Sequence, residues 1–237
     1  MPGIFRFKQF DVDQTGCAMK INTDGVLLGA LADAENPKAI LDIGTGTGVI
    51  ALMLAQRFAD AEIDAVEIDE QAAQTAARNF AGSPFAERLK VCPAGFEQFF
   101  DEHPGKRYDL IVSNPPFFIN SLKSPEKGRR VAKHADNDFF ETLIRAASYH
   151  LDQHGVFCLI LPVDTAEMVI KLAMDCKLFP LKKINICSFS DSAPHRVILS
   201  LGSKQVRSEE VDWNIYKAAN VYSDEYIKVL QPYFIAF

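Results

Sequence analysis

Ala39-Ile40-Leu41-Asp42-Ile43-Gly44-Thr45-Gly46-Thr47-Gly48 is the stretch from which the fold of this chain can be read. The first five residues are apolar apart from Asp42 and read as a buried strand; glycines then follow at alternate positions. Lacking Cβ, glycine accepts positive φ and lets the backbone pass close to a ligand. From Val49 to Phe58, Ile50, Leu52, Met53 and Leu54 recur at helical spacing. The turn therefore joins a strand to a helix whose first amides point back at it, a candidate cradle for a nucleotide-like ligand.

Outward from this unit, apolar runs keep alternating with helix-period segments, the pattern of an α/β protein. Ile63 to Glu67 reads as a second strand, Glu70 to Phe80 as a second helix, Leu89 to Cys92 as a third strand and Tyr108 to Ser113 as a fourth. After a polar, basic stretch from Asn120 to Asp138, a helix is expected over Phe139–Leu151, a fifth strand over Val156–Leu161 and a helix over Thr165–Cys176. Leu181–Phe189 and Arg196–Leu201 read as an antiparallel closing pair. The sum is a Rossmann-like, mostly parallel seven-stranded sheet with an antiparallel closing strand and helices on both faces. Ile4 to Ile21 is expected to form a small hairpin or lid, with Thr23 or Asp24 capping a helix through Val26, Leu27 and Leu31. One domain is expected over 1–237: a hairpin and helix cap (1–37), the sheet (38–202) and a C-terminal cap (203–237) packed by Trp213, Tyr216, Tyr222 and Tyr226.

Composition sets the bounds. The 237 residues, 48% hydrophobic, suit one core of the larger single-domain size. No apolar run is long enough to span a membrane, and Met1 to Arg6 lacks the apolar segment of a secretory signal. Five scattered cysteines, none in a C-x-x-C pair, carry neither a zinc nor a disulfide signature. A soluble, cytoplasmic, metal-free protein is expected. The formal net charge of −6 argues against a protein that coats nucleic acid, although local clusters can override the sum.

Asn114-Pro115-Pro116-Phe117 follows the fourth strand, about 70 residues beyond the glycine turn. An amino group on a heteroaromatic ring is a poor nucleophile because its lone pair is delocalised. Two acceptors that bind its hydrogens pull the nitrogen towards tetrahedral geometry and stabilise the charge that develops on transfer. The Asn114 side-chain oxygen and the Pro115 carbonyl are such a pair. The prolines fix φ and remove two amide donors, and Phe117 offers a face on which a base can stack. Lys123, Lys127, Arg129, Arg130, Lys133 and His134 follow, against the single acid Glu126, where phosphates flanking a flipped base would pass. Glu67, at the end of the second strand, is placed to accept from both hydroxyls of a ribose.

The glycines are spaced G-x-G-x-G, with the third four residues after the first, unlike the G-x-G-x-x-G of dinucleotide binders. With the Asn-Pro-Pro-Phe loop, this resembles the class I S-adenosylmethionine (SAM)-dependent methyltransferases with the N-P-P-Y/F signature, over roughly Thr23 to Leu201. Phe5 to Phe10, Met19 to Gly29 and the ending Tyr222-Ser223-Asp224-Glu225-Tyr226 with Tyr233-Phe234 resemble, more closely, the bacterial tRNA1(Val) adenine-37 N6-methyltransferases. That resemblance implies SAM as cofactor, tRNA as partner and transfer to N6 of the adenosine 3′ of the anticodon. It implies that Thr23 and Asp24 lie over the methionine end of SAM, that Asp42, Gly44, Gly46 and Gly48 line its pocket, and that Glu67 holds the ribose. Asn114 serves both cofactor and target. Where the family often places an Asp for the SAM adenine, this chain has Pro93-Ala94-Gly95-Phe96, so backbone atoms and Phe96 are expected to take that part.

Other readings are disfavoured by particular residues. A protein glutamine N5-methyltransferase would use the same grip on an amide, but about 38 residues before the first sheet strand leave no room for a helical substrate domain. Ribosomal RNA or DNA amino groups suit the same chemistry. A non-catalytic SAM-binding or RNA-chaperone module would not need Asn114 with both prolines, and a nicotinamide-dependent dehydrogenase is disfavoured by the glycine spacing.

Overall fold

A computed structural model describes residues 3–116 and 126–237, the side chains of 126–136 excepted. A hairpin of β1 (Ile4–Arg6) and β2 (Asp11–Asp13) precedes α1 (Thr23–Leu31). Then follow β3 (Ala39–Ile43), α2 (Val49–Arg57), β4 (Glu62–Val66), α3 (Glu70–Ala81), β5 (Leu89–Cys92), α4 (Phe96–Glu102) and β6 (Tyr108–Ser113). The second half holds α5 (Glu126–His150), β7 (Leu151–Leu161), α6 (Val163–Asp175), β8 (Phe179–Cys187) and β9 (Arg196–Gly202). The chain ends with β10 (Glu209–Asn214), a small ribbon of β11 (Tyr216–Ala218) and β12 (Val221–Tyr222), and α7 (Asp224–Leu230).

The main sheet runs β10-β8-β9-β7-β6-β3-β4-β5. Every neighbouring pair is parallel except the two that involve β9. From β3 the chain builds outward through β4 and β5, then returns to lay β6 on the other side of β3. The β3/β6 boundary is thus the topological switch point, the place beyond the strand ends where sheets of this kind bind ligands. Both faces are covered, which explains the near-continuous apolar runs. Ile40, Leu110, Val112, Cys158 and Ile160 pack under α1 and α2. Leu41, Ile43, Ile111, Leu159 and Leu161 pack under α5 and α6.

Four expectations are corrected. The sheet has eight strands, because β10 adds an edge strand from the segment assigned to the C-terminal cap. Its sequence, Glu-Glu-Val-Asp-Trp-Asn, carries charge on the exposed edge and has no apolar run to announce it. Helix α5 begins at Glu126, 13 residues before Phe139: its first turns contain good helix formers but no apolar periodicity. β7 begins directly after α5, at Leu151 instead of Val156. The cap of α1 is neither Thr23 nor Asp24 but Asn22, whose side chain accepts from the Gly25 amide at 2.9 Å. Among the described residues, no helix is long and apolar enough to cross a membrane.

Candidate active site

The three glycines all take positive φ, at 72°, 56° and 82° for Gly44, Gly46 and Gly48, but their surroundings divide them. A Cβ built on Gly48 would lie 2.5 Å from Cε1 of the buried Phe80 ring, so this glycine lets α2 begin against α3. Among the described residues, a Cβ on Gly44 or Gly46 would meet nothing within 4 Å. Within the described structure their bare backbone faces open space, as a cradle for a ligand requires. The loop is tied down from below, where the Gly44 and Thr45 amides donate to the Val66 carbonyl at 2.9 and 3.1 Å. From the side, Asn79 on α3 donates to the Thr47 carbonyl at 2.8 Å and exchanges two hydrogen bonds with the backbone of Asp13. That buried amide couples the N-terminal hairpin to the cradle.

Asp42 is fully buried at the end of β3. Its Oδ2 accepts from Thr45 Oγ1 at 2.6 Å, while Oδ1 has no hydrogen-bonding partner among the described residues. Burial pushes its pKa up to about 7, against the pull of the Thr45 hydroxyl and the Ala51 amide, and the Glu67 carboxylate adds to the push. An orphaned, buried carboxylate oxygen behind a bare glycine cradle suits a ligand that carries a cationic or hydrogen-donating group. Glu67 lies one residue past β4. Its Oε2 accepts from the Gly46 amide at 2.8 Å and its Oε1 from the Asp69 amide at 3.0 Å. Each oxygen thereby keeps acceptor capacity for a further donor.

Asn114 leaves β6 where Ser113 is in register with Ile43, and the Ser113 hydroxyl donates to the Ile43 carbonyl at 2.9 Å. Asn114 and Gly44 therefore emerge abreast from adjoining parallel strands, spaced about 4.8 Å. The Asn114 side chain is half-buried and makes no hydrogen bond within the described residues. Pro115 is buried and Pro116 exposed. Phe117 and Lys123 lie outside the described residues. Lys127, Arg129, Arg130 and Lys133 fall within the span of α5, their side chains likewise outside the description.

Thr23 is exposed in the first turn of α1, and Asp24 is paired with Arg196 at 2.8 Å. Phe96 opens α4 half-buried, its ring edge-on to Phe139 at 5.9 Å and Phe100 at 6.5 Å. Beside it Ile68 is 81% exposed, with Cδ1 3.6 Å from a Cβ built on Gly95. Sequence reading missed Ile68, Asn79 and Arg196. The first had only its place after Glu67 as a signal; the other two act through partners distant in sequence.

A bare glycine cradle backed by an acid, abreast of an Asn-Pro-Pro turn at the switch point of a Rossmann-like sheet, defines the methyltransferase class. Comparison with known proteins agrees: the methyltransferase small domain model matches residues 19–168. The tRNA1(Val) (adenine(37)-N6)-methyltransferase of Pedobacter heparinus is 48% identical over all 237 residues and the whole of that protein. Among solved structures, Atu636 of Agrobacterium tumefaciens superposes with a TM-score of 0.70 at 18% identity, covering 89% of this chain and 96% of its own. SMU.776, solved in complex with SAH, gives a TM-score of 0.60 at 15% identity, covering 85% of this chain and 56% of its own. At those identities the solved structures establish the fold. The chain belongs to the methyltransferase small domain family and, within it, to the tRNA1(Val) (adenine(37)-N6)-methyltransferases.

Proposed function

We propose that this chain transfers a methyl group from SAM to N6 of adenosine 37 in tRNA1(Val), acting as a cytoplasmic, single-domain monomer. The observation that carries the reading is the emergence of Gly44 and Asn114 abreast at the switch point, fixed by the Ile43–Ser113 register. The full-length similarity to relatives bearing that name supports the choice of substrate.

The residues of the cradle fit the cofactor. Gly44 and Gly46 give backbone approach, and the free Oδ1 of Asp42, with Thr23 and Asp24, suits the methionine end. Glu67, held by the Gly46 and Asp69 amides, has acceptor capacity for ribose hydroxyls. Ile68 and Phe96 offer apolar faces for the adenine. When bound, SAM supplies an electrophilic methyl group on a sulfonium.

The rest of the chemistry belongs to the chain. The Asn114 Oδ1 and the Pro115 carbonyl accept the two hydrogens of the target amino group, draw its lone pair out of the ring and stabilise the positive charge that develops. Because the proton leaves only after transfer, no general base is required at the nitrogen. The prolines keep amide donors away from that grip, and Phe117 stacks on the extruded base. Lys123, Lys127, Arg129, Arg130 and Lys133 meet the flanking phosphates.

The test is nucleoside mass spectrometry of unmodified tRNA1(Val) after incubation with protein and SAM, with other tRNAs and a release factor as controls. N6-methyladenosine at position 37 of the valine tRNA alone is the expected result. Methylation of the release factor, or no methylated RNA at all, would overturn the RNA assignment.

A further inference from the structure

Arg196 opens β9 at the carboxyl edge of the sheet, in register with Ile186, while its neighbour Val197 pairs with Leu161 at the end of β7. It stands two strands from Asn114, roughly 10 Å along the edge. Its Nε donates to Asp24 Oδ2 at 2.8 Å across 172 residues of sequence. The two side chains are only 30% and 21% exposed, so the pair is largely shielded from solvent, unlike most ion pairs of this surface.

The helix that carries Asp24 in its first turn packs on its other side against α2, the helix that follows the glycine loop. A Cβ on Gly25 would touch Ile50 and Val49 at 3.9 Å, and one on Gly29 would press on Met53 at 3.0 Å. The first turn of α1 therefore lies directly on the first turn of α2, which the glycine loop starts. The apolar side of this turn is held by the burial of Val26, Leu27 and Leu28 against the sheet, and its start by the Asn22 cap. Arg196 adds a polar tie from Asp24 to the sheet edge on the flank of Asn114.

We propose that Arg196 is a positioning residue: through Asp24 it fixes the first turn of α1 between the cofactor cradle and the Asn114 flank, and so sets the alignment of methyl donor and target nitrogen. This rests on the reading of the cradle as the SAM site. Removing the guanidinium releases Thr23 and Asp24 together, and misplacing groups that align reactants by about 1 Å can cost up to about 100-fold in rate.

Binding of SAH by titration calorimetry, with tRNA methylation kinetics, should be compared for the wild type, Arg196→Ala, Arg196→Lys, Asp24→Asn and the double variant Asp24→Asn/Arg196→Ala. Arg196→Ala is expected to weaken SAH about tenfold at full stoichiometry and to lower kcat, while KM for tRNA stays within about twofold. Arg196→Lys should recover part of the affinity. In the Asp24→Asn background, Arg196→Ala should cost less than about twofold more, because the two act as one unit. Wild-type affinity in Arg196→Ala, reduced stoichiometry at unchanged affinity, or additive losses in the double variant would each overturn the proposal. Failure of the wild type to bind SAH would overturn the cofactor reading and this inference with it.

Discussion

Glycines 44 and 48 share the left-handed region yet stand in opposite surroundings, so one substitution at each separates stability from binding. Alanine at Gly48 meets two penalties. A non-glycine residue at φ 82° costs about 1–2 kcal/mol, and the new methyl group, 2.5 Å from Cε1 of the buried Phe80, adds about 1–3 kcal/mol of overpacking. The sum of about 2–5 kcal/mol lowers the melting temperature by roughly 10 °C for a domain of this size. Alanine at Gly44, where none of the described residues lies within 4 Å, carries only the backbone cost of about 1–2 kcal/mol. Its methyl group, however, projects into the space assigned to the cofactor, and an overlap of about 1–3 kcal/mol there weakens binding about 5- to 150-fold. Urea denaturation measures the first effect and SAH calorimetry the second. Gly48→Ala should be the less stable variant and Gly44→Ala the weaker binder. Equal destabilisation by the two, or full SAH affinity in Gly44→Ala, would refute the division of the loop into a packing glycine and cradle glycines.

Two further outcomes follow from the site. Asn114→Ala should lower kcat for RNA methylation by about 100-fold or more while SAH affinity stays near that of the wild type, since the lost acceptor acts mainly as charge develops; turnover within tenfold of wild type would remove Asn114 from the chemistry. Asp42, with a folded pKa pushed up to about 7, binds a proton more tightly folded than unfolded. The stabilisation it gives is complete below the unfolded value of about 4 and is lost as pH rises through about 7. Asp42→Asn should remove a stability loss of at most about 1.4 kcal/mol per pH unit across that window, read from urea midpoints; identical pH profiles for the two proteins would dismiss the shift.

The parts of the molecule that were legible in the sequence are those whose cause is local. The order of buried strands could be read because both faces of β3, β4 and β6 are covered, which forces apolar runs. The glycine turn could be read because positive φ leaves few choices of residue. Misreadings arose where the cause was remote or the signal faint. The start of α5 carries helix formers without an apolar stripe, and β10 is an edge strand whose charges mask its period. Asn22, Thr23 and Asp24 are all competent caps. The choice of Asn22 frees Asp24 for Arg196, a partner that no local pattern announces. Asn79 reads as the polar side of an ordinary amphipathic helix, although its amide joins the hairpin to the glycine loop.

The same distinction explains how the site keeps its geometry. Neither Gly44 nor Asn114 depends on a long loop for its position, since each is the first residue after a central strand. Their separation is set by the β3–β6 ladder and by the bond from Ser113 to Ile43. The cradle is then fixed from β4 through Val66, from α3 through Asn79 and from its own flank through Glu67. Ladder bonds in a doubly covered sheet are among the least yielding contacts of a fold, whereas loop contacts open readily. With the proposed donor site and acceptor grip on neighbouring strand ends, alignment rests on the rigid scaffold, as in-line transfer to a weak nucleophile requires. On the proposed reading the sheet sets the separation of the two sites, and the first turn of α1, tied to the sheet edge by Arg196 through Asp24, completes the alignment.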